Sequence, residues 1–538
     1  MTRKPMNSVG YLVFAVVLSL SLTPGAQADL NIVGSTHGQN YQGVAAPAAG
    51  QYAASIPLAL CDLSGPTPIR YQNGVVTDLT VPGISIPAGN IVLWKCRIGG
   101  NDNFVFRYTG GFSAMAYANI KAPLGSQASM FTTIDPFIAG GGGCSASVSR
   151  TDPGTGRNYL SVTGCLATTL VSADFATSDT KGTAFAPTMC DPQSVPSCAQ
   201  PITDQGVTSF PITATPFAVI VGNGVQVCGT DAARTNAGKI SLTRVQVEAI
   251  LSGSVLSWNQ LGYCVYPTNP LNPADSAFPA TTGELAPVGT VTPTGDQSIV
   301  TCSRPVTAGT RIIFDATQMK DAPEISIGTI GGFNPNIPPP PGQYVPFSGD
   351  FNYLAQTVAN GLECLQGTTA AQPSGPSPGN MNAIVYNRAD ESANKVVFPV
   401  GNVGRIRGGY PVPLDGVLPS DYTNPGPPAG GFPPNAADLA TLNGKRAVSQ
   451  KQFRCGRYSF WSDWVGIQRT VPNTNQTLWN QYVAKIAELL PVTTTGYFWS
   501  KNLRQPGQPV VTEMFVQKGE TKGPITYNSG DPTACHGN

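Results

Sequence analysis

Charge and histidine are both scarce in this chain. Asp, Glu, Lys and Arg together make up 11% of the 538 residues, and their formal sum is +1. The two histidines, His37 and His536, stand near opposite ends of the sequence. Nucleic acid and anionic membrane surfaces attract basic stripes, and this chain has none. A Ser-His-Asp triad or a zinc site is hard to build from two such distant histidines. The composition therefore favours a protein that is not an enzyme.

Long apolar runs are missing after the first 28 residues. No later stretch approaches the roughly 20 apolar residues that a membrane-spanning helix needs. At the start, Arg3 and Lys4 precede an apolar segment from Tyr11 to Leu22, and small residues end this region at Ala28. That pattern predicts a secretory signal peptide cleaved after Ala28, and hence a periplasmic or extracellular protein. Removing Arg3 and Lys4 changes the formal charge from +1 to −1 (1 − 2).

The twelve cysteines include no Cys-x-x-Cys pair. An even number in an exported chain favours disulfides over metal ligands, although the sequence leaves their connectivity open. Pairs of neighbours are the simplest choices: Cys190/Cys198, Cys228/Cys264 and Cys302/Cys364. The 60 glycines and 49 prolines predict long irregular loops, including an insertion-like segment at 421–440.

Helical and strand-like patterns alternate along the chain. The continuous apolar run at 216–225 (PFAVIVGNGV) predicts a strand buried on both faces. A helix is predicted within 240–262, capped by Ser241 or Thr243 and ended by Gly253. Its inward face is predicted to carry Val245, Ala249 and Leu251. A second amphipathic helix is predicted at 475–490, with Leu478, Tyr482, Ile486 and Leu490 at helical spacing.

Four polar turns follow the predicted strands, which is the arrangement of an α/β fold. They contain Ser35-Thr36, Ser113, Ser178-Asp179-Thr180 and the stretch from Arg304 to Thr310. Ligands of open α/β sheets collect at the carboxyl ends of the strands. Arginine, hydroxyl groups and loop N–H groups all donate hydrogen bonds to oxyanions. The four turns therefore predict a binding site for an oxyanion.

These motifs resemble, in the same order, those of the periplasmic phosphate-binding proteins of ABC transporters. The helix signature SLTRVQVEAILSGSVLSWNQLG (241–262) and the segment YPVPLDGVLPS (410–420) are the most specific matches. SRPVTAGTR (303–311), YTGGFSA (108–114) and ATSDT (176–180) are similar to the family's anion-binding turns. The resemblance covers most of the chain, from about residue 30 to residue 500.

The resemblance implies a two-lobed, hinge-linked periplasmic-binding-protein fold of type II. Its first lobe would comprise 29–215, its second lobe 216–400, and 401–538 would return to the first. It implies capture of phosphate or a related oxyanion between the lobes, without a cofactor, and delivery to an ABC permease. The implied ligand-binding residues of the second lobe are Arg304, Gly309 and Thr310, and those of the first are Asp179, Ser113, Ser35 and Thr36. Asp179 would accept the proton of hydrogen phosphate, which sulfate lacks.

Two residues depart from the family's anion loop. The chain has Val306 where the family has an acidic residue, and Ala308 where it has a serine. A second interpretation is therefore a secreted structural or interaction protein that keeps the fold and has lost phosphate binding. The two interpretations differ in whether Arg304, Asp179 and Ser113 converge on one cleft.

Overall fold

The computed structural model does not describe the whole chain. It describes residues 29–35, 38, 55–73, 79–81, 84–86, 91–111, 113–121, 131–133, 144, 146–152, 155–163, 165, 169–171, 173–185, 206–222, 224–229, 240–266, 293, 295–304, 308–319, 344–347, 350–354, 382–388, 409–418, 451–471, 473–489, 500–501, 514–518, 525–527 and 535. The predicted signal peptide, Thr36, Val306 and the segment 421–440 lie outside these residues.

Strands dominate the described residues. They are β1 Leu30–Ser35, β2 Ile69–Asn73, β3 Leu79–Val81, β4 Ile84–Ile86, β5 Ile91–Ile98, β6 Asn101–Gly111, β7 Phe131–Thr133, β8 Ala146–Thr151, β9 Asn158–Thr163, β10 Thr169–Val171, β11 Phe175–Ser178, β12 Val207–Gly222, β13 Val225–Val227, β14 Tyr263–Val265, β15 Val300–Ser303, β16 Tyr344–Phe347, β17 Asp350–Leu354, β18 Ala383–Arg388, β19 Gly409–Pro411, β20 Trp461–Arg469, β21 Ser500–Lys501, β22 Val516–Lys518 and β23 Ile525–Tyr527.

Most of the α-helices among the described residues are short. They are α1 Ile56–Leu60, α2 Ser113–Lys121, α3 Arg244–Leu251, α4 Gly309–Phe314, α5 Lys451–Arg454 and α6 Gln476–Leu489. Short 3₁₀ segments cover Gly182–Phe185 and Trp258–Leu261, and a π-helical turn, Asp315–Met319, continues α4. Across the described part of the chain, every helix is too short or too polar to cross a membrane.

One sheet of fifteen strands runs through the described residues, and two long strands, β12 and β20, join its two halves. In the first half, β20 pairs antiparallel with β11, and β1 lies parallel to both β11 and β6. In the second half, β12 pairs antiparallel with β18, and β15 lies parallel to both β18 and β17. Each half thus repeats the same order of three parallel strands and one antiparallel strand.

β12 belongs to both halves. Its first part, Val207–Pro216, pairs with β20, and its second part, Phe217–Val221, pairs with β18. The predicted strand at 216–225 is confirmed as far as Gly222, and its residues from Pro216 to Gly222 are buried. A chain segment buried on both faces needs the apolar run that the sequence has there.

Each half has its own hydrophobic cluster. The first contains Phe106, Phe175 and Trp479, and the second contains Ile220 and Phe314. This arrangement, together with the sheet order, confirms the predicted α/β fold with two lobes. The boundaries of the predicted lobes stay a prediction. Within 401–538, α6 packs on the first cluster, whereas Phe453, Tyr458 and Phe460 pack on the second.

α3 shows both the strength and the limit of local signals. Thr243 caps it by accepting a hydrogen bond from the Gln246 N–H at 3.1 Å, while the Gln246 side chain accepts one from the Thr243 N–H at 2.8 Å. The inward face was predicted only in part: Leu251 is buried, but Val245 is 66% exposed. Side chains two residues apart on a helix point in directions about 200° apart. Because Val247 is buried, Val245 therefore faces solvent. In α6, by contrast, Leu478, Tyr482 and Ile486 are buried as predicted, and Leu490 lies outside the described residues.

Disulfides link several of the irregular segments. The predicted Cys228–Cys264 bond is confirmed. Three other bonds, Cys61–Cys96, Cys144–Cys165 and Cys455–Cys535, were not predicted. Cys302 is also disulfide-bonded, and its partner lies outside the described residues. The Cys302/Cys364 and Cys190/Cys198 pairs therefore stay predictions.

Lys518 is a buried cation whose titration should affect stability. Its Nζ donates to the carbonyl oxygens of Trp461 at 2.7 Å and Ser459 at 3.2 Å, and it lies 4.4 Å from the Trp461 ring centroid. Burial lowers the Lys518 pKa to about 7, although Asp463 opposes the shift.

Between pH 7 and the ordinary lysine pKa of 10.5, the unfolded chain binds this proton more tightly than the folded protein does. Stability therefore rises with pH in that interval, and the cost of burying the charge is fully present below it. We expect the free energy of unfolding of the wild type, relative to a Lys518→Met variant, to increase from pH 7 towards pH 9 in urea unfolding. Parallel pH profiles for the two proteins would contradict this expectation.

Candidate anion-binding site

The first wall of the site is formed by the turns that follow β1, β6 and β11. The register pairs Ser35 with Gly111 and Gly34 with Thr177, so the three strands end at one edge of the sheet. Ser113 begins α2 two residues after β6, and Asp179 directly follows β11. Parallel strands bring their carboxyl ends together, which places these turns side by side.

Ser113 and Asp179 contact each other within this wall. The Asp179 N–H donates to Ser113 Oγ at 3.1 Å. Both residues are buried, with 1% and 7% of their surfaces exposed. The next residue, Thr180, donates its N–H to Ser178 Oγ at 3.2 Å. The turn after β11 is thus held by serine hydroxyl groups.

Ser35 is fixed by two aromatic residues, Tyr108, which begins the YTGGFSA motif, and Trp464, which was not predicted. Tyr108 donates its hydroxyl hydrogen to the Ser35 carbonyl oxygen at 2.6 Å, and Trp464 Nε1 donates to Ser35 Oγ at 3.3 Å. Trp464 lies on β20, one of the two strands that join the halves. Because Ser35 Oγ accepts in the bond with Trp464, that bond leaves the hydroxyl hydrogen available for an acceptor.

The second wall starts at the carboxyl end of β15. Arg304 follows this strand and is 4% exposed. Its N–H donates to the Tyr386 hydroxyl at 3.2 Å, and its carbonyl oxygen accepts from Arg311 Nη1 at 3.2 Å. α4 then begins with Gly309 and Thr310, both buried. Ala308 occupies the N-cap position and provides no side-chain hydrogen bond there.

Gly309 brings the two walls into contact. A β-carbon at this position would lie 2.8 Å from Asp179 Cβ and 2.9 Å from Asp179 Oδ2, and closer still to Ser113 Oγ. Real β-carbons do not approach other atoms so closely in a packed interior. The absence of a side chain at residue 309 is therefore what allows α4 to meet the turns of the first half.

Arg311, Asp315 and Tyr386 form a buried polar network that contacts the backbone of Arg304. Arg311 Nε donates to Asp315 Oδ1 and Oδ2 at 3.0 and 2.9 Å. Burial alone would lower the Arg311 pKa, but the Asp315 carboxylate and the Tyr386 hydroxyl raise it above the ordinary value. Burial raises the Tyr386 pKa to about 12, although the nearby Arg311 guanidinium opposes the shift. At neutral pH the network therefore holds a charged arginine and a neutral tyrosine.

The residues predicted for the site fall on both walls. Ser113 and Asp179 come together with Gly309, and Ser35 ends a neighbouring strand. Arg304 and Thr310 belong to the second wall. The Arg311/Asp315 pair was missed, although its i, i+4 spacing is visible in the sequence. Nothing in the local sequence around Tyr386 could have identified it.

Comparisons with known proteins find structural likeness only. No family model and no curated relative matches the sequence. A putative phosphate ABC transporter substrate-binding protein from Clostridium perfringens, solved with bound phosphate, is 14% identical with a TM-score of 0.26; the likeness covers 55% of this chain and 73% of that one. An ABC-type phosphate transport receptor from Vibrio cholerae is 12% identical with a TM-score of 0.27; the likeness covers 59% of this chain and 78% of that one. PstS from Borrelia burgdorferi is 10% identical with a TM-score of 0.25; the likeness covers 60% of this chain and 79% of that one.

These solved structures belong to the class that the sequence motifs resemble. Identities and TM-scores this low carry no weight for the function of this chain.

Proposed function

We propose that this protein is an exported solute-binding protein that captures phosphate or a related oxyanion between its two halves, without catalysing a reaction. Ser113, Asp179 and Ser35 would bind the anion from the first half, and Arg304, Gly309 and Thr310 from the second. Thr36, which lies outside the described residues, is proposed to contribute to the first half as well. Delivery of the anion to an ABC permease is part of the proposal.

The observation that carries this proposal is the contact at Gly309. It brings the second wall against Ser113 and Asp179, which lie on a different half of the sheet. It places the start of α4 beside a buried hydroxyl and a buried carboxylate, which is the juxtaposition that a binding site between the two halves requires. The contact therefore favours the binding protein over the structural or interaction protein.

The charges of the two walls suit a protonated oxyanion. Arg304 supplies a guanidinium fork, which matches the oxygens of a phosphate. Asp179 is a buried carboxylate and would repel a fully ionised anion, but it can accept a hydrogen bond from a P–OH group. Phosphate and arsenate carry such a group at neutral pH, and sulfate does not. The proposed site should therefore prefer phosphate and arsenate.

Isothermal titration at neutral pH tests the proposal. We expect saturable heat with phosphate and arsenate. Sulfate should bind at least about tenfold more weakly, since one charged group lacks its hydrogen-bond partner. No heat with any of the three anions at millimolar concentration would overturn the proposal and support the structural or interaction protein.

Asp179→Asn tests the source of the preference. An asparagine can donate as well as accept, so we expect the ratio of phosphate to sulfate affinity to fall about tenfold. Asp174→Asn is the control, because Asp174 is a half-buried carboxylate that directly precedes β11, whereas Asp179 directly follows it. The control should leave the ratio unchanged. An equal effect of both substitutions would contradict the role of Asp179.

A further inference from the structure

We propose that Arg311, Asp315 and Tyr386 are positioning residues, which hold the backbone of Arg304 so that its guanidinium faces the bound oxyanion. This inference rests on the proposed function and identifies a second set of residues on which binding depends. None of the three is proposed to touch the anion.

Both backbone polar groups of Arg304 are bound by side chains of this network. Its N–H donates to the hydroxyl group of Tyr386 on β18, and its carbonyl oxygen accepts from Arg311 on α4. Strand β15 ends at Ser303, so Arg304 has left the ladder of the sheet. The two side chains thus replace the strand partners and fix the orientation of this peptide unit.

The network is itself rigid. Asp315 binds Arg311 Nε with both carboxylate oxygens, and the Tyr386 hydroxyl hydrogen-bonds the Arg311 side chain. The Tyr386 ring stacks on Phe314, with centroids 4.0 Å apart and planes 9° from parallel. Arg311, Asp315 and Tyr386 are at most 7% exposed. Buried charges persist only when they are paired and hydrogen-bonded, and here each partner restrains the next.

The network also ties together the two ends of the anion loop. Arg304 is its first residue, and Gly309 begins the helix that contains Arg311. The bond from Arg311 Nη1 to the Arg304 carbonyl oxygen therefore fixes the start of the loop relative to its end. The loop has Val306 and Ala308 where the resembled family has an acidic residue and a serine. In this chain, restraint on Arg304 comes from outside the loop.

Tyr386→Phe is the variant that tests the proposal. It keeps the stacking on Phe314 and removes only the hydroxyl group that accepts from Arg304 and Arg311. The matched control is Tyr458→Phe, since Tyr458 is also buried in the second cluster and donates its hydroxyl hydrogen to the Phe217 carbonyl oxygen. We expect phosphate affinity, measured by isothermal titration, to fall about tenfold in Tyr386→Phe and to change less than about twofold in the control.

A double-mutant cycle separates positioning from general support of the fold. Lysine is a point charge that needs no orientation of a planar fork. We therefore expect Tyr386→Phe to weaken phosphate binding about tenfold in the wild type and less than about twofold in an Arg304→Lys background. Thermal unfolding of all variants verifies that the titrated proteins are folded.

The outcomes are distinguishable. If the wild type binds phosphate and Tyr386→Phe behaves as the control does, or weakens binding equally in both backgrounds, the positioning role is wrong and the proposed function stands. If the wild type binds no oxyanion, the proposed function is wrong and the positioning role falls with it.

Discussion

Replacing Gly309 by alanine is expected to weaken phosphate binding at least about 100-fold, which corresponds to roughly 2.7 kcal/mol. The added β-carbon would lie 2.8 Å from Asp179 Cβ. The Ser113 hydroxyl can rotate away, but a β-carbon moves only with its backbone. The alanine would therefore hold α4 away from the turns of the first half, and the anion would lose the donors of one wall. Isothermal titration with phosphate measures the loss.

Gly295→Ala is the matched control for Gly309→Ala. Gly295 lies a few residues before β15, the strand that leads to Arg304. A β-carbon at residue 295 would meet nothing within 4 Å. We expect its phosphate affinity to equal that of the wild type. Solution scattering of both variants with saturating phosphate should show a more open particle for Gly309→Ala. Wild-type affinity in Gly309→Ala would contradict the proposed closure of the two walls on the anion.

Replacing Trp479 by alanine is expected to lower the free energy of unfolding by about 3–5 kcal/mol. Trp479 lies on α6 and is fully buried. Its ring stacks on Phe175 of β11 at 4.7 Å and on Tyr482 at 5.6 Å, and its edge meets Phe210 of β12 at 6.3 Å. Truncation would leave a cavity between one helix and two strands, because neighbours held in a sheet cannot collapse into it. Urea unfolding under oxidising conditions measures the change.

Two further variants show whether the loss comes from packing. The indole Nε1 of Trp479 has no hydrogen-bond partner within the described part of the chain. Neither substitution therefore leaves a buried acceptor unpaired, and Trp479→Phe should cost less than Trp479→Ala because it retains an aromatic ring and leaves a smaller cavity. Val471→Ala, at a position 73% exposed just before α6, should change stability by less than about 0.5 kcal/mol. A similar loss in all three variants would contradict the packing account.

The helices and strands that could be predicted depend on neighbours in sequence. The buried part of β12 follows a continuous apolar run, and the capping box of α3 spans only Thr243 to Gln246. Cys228 follows β13 and Cys264 lies on its antiparallel partner β14, so the pairing of these two strands brings together cysteines that are 36 residues apart. Val245 shows where such reasoning fails. Its apolar side chain fits a helix face, but the position of the core relative to α3 decides which face is buried.

The candidate site could be predicted only in part, for the same reason. Polar turns after strands point to Ser113, Asp179 and Arg304, because ligands gather at strand ends. Tyr386 was missed, since its role depends on β18 lying beside β15. Tyr108 and Trp464, which hold Ser35, come from strands distant in the chain. Tyr108 belongs to the YTGGFSA motif, but nothing in the motif indicates its contact with Ser35, and no local pattern distinguishes Trp464 from an ordinary core residue.

By itself, the sequence determined the α/β alternation and the chemistry available at each turn, because capping, periodicity and apolar runs act over a few residues. Only the tertiary structure decided that β12 and β20 join the halves, that Arg304 is held by Tyr386 and Arg311, and that Gly309 lies against Asp179. These contacts depend on the order of strands in the sheet. That order follows from the simultaneous burial of two cores, to which every distant segment contributes.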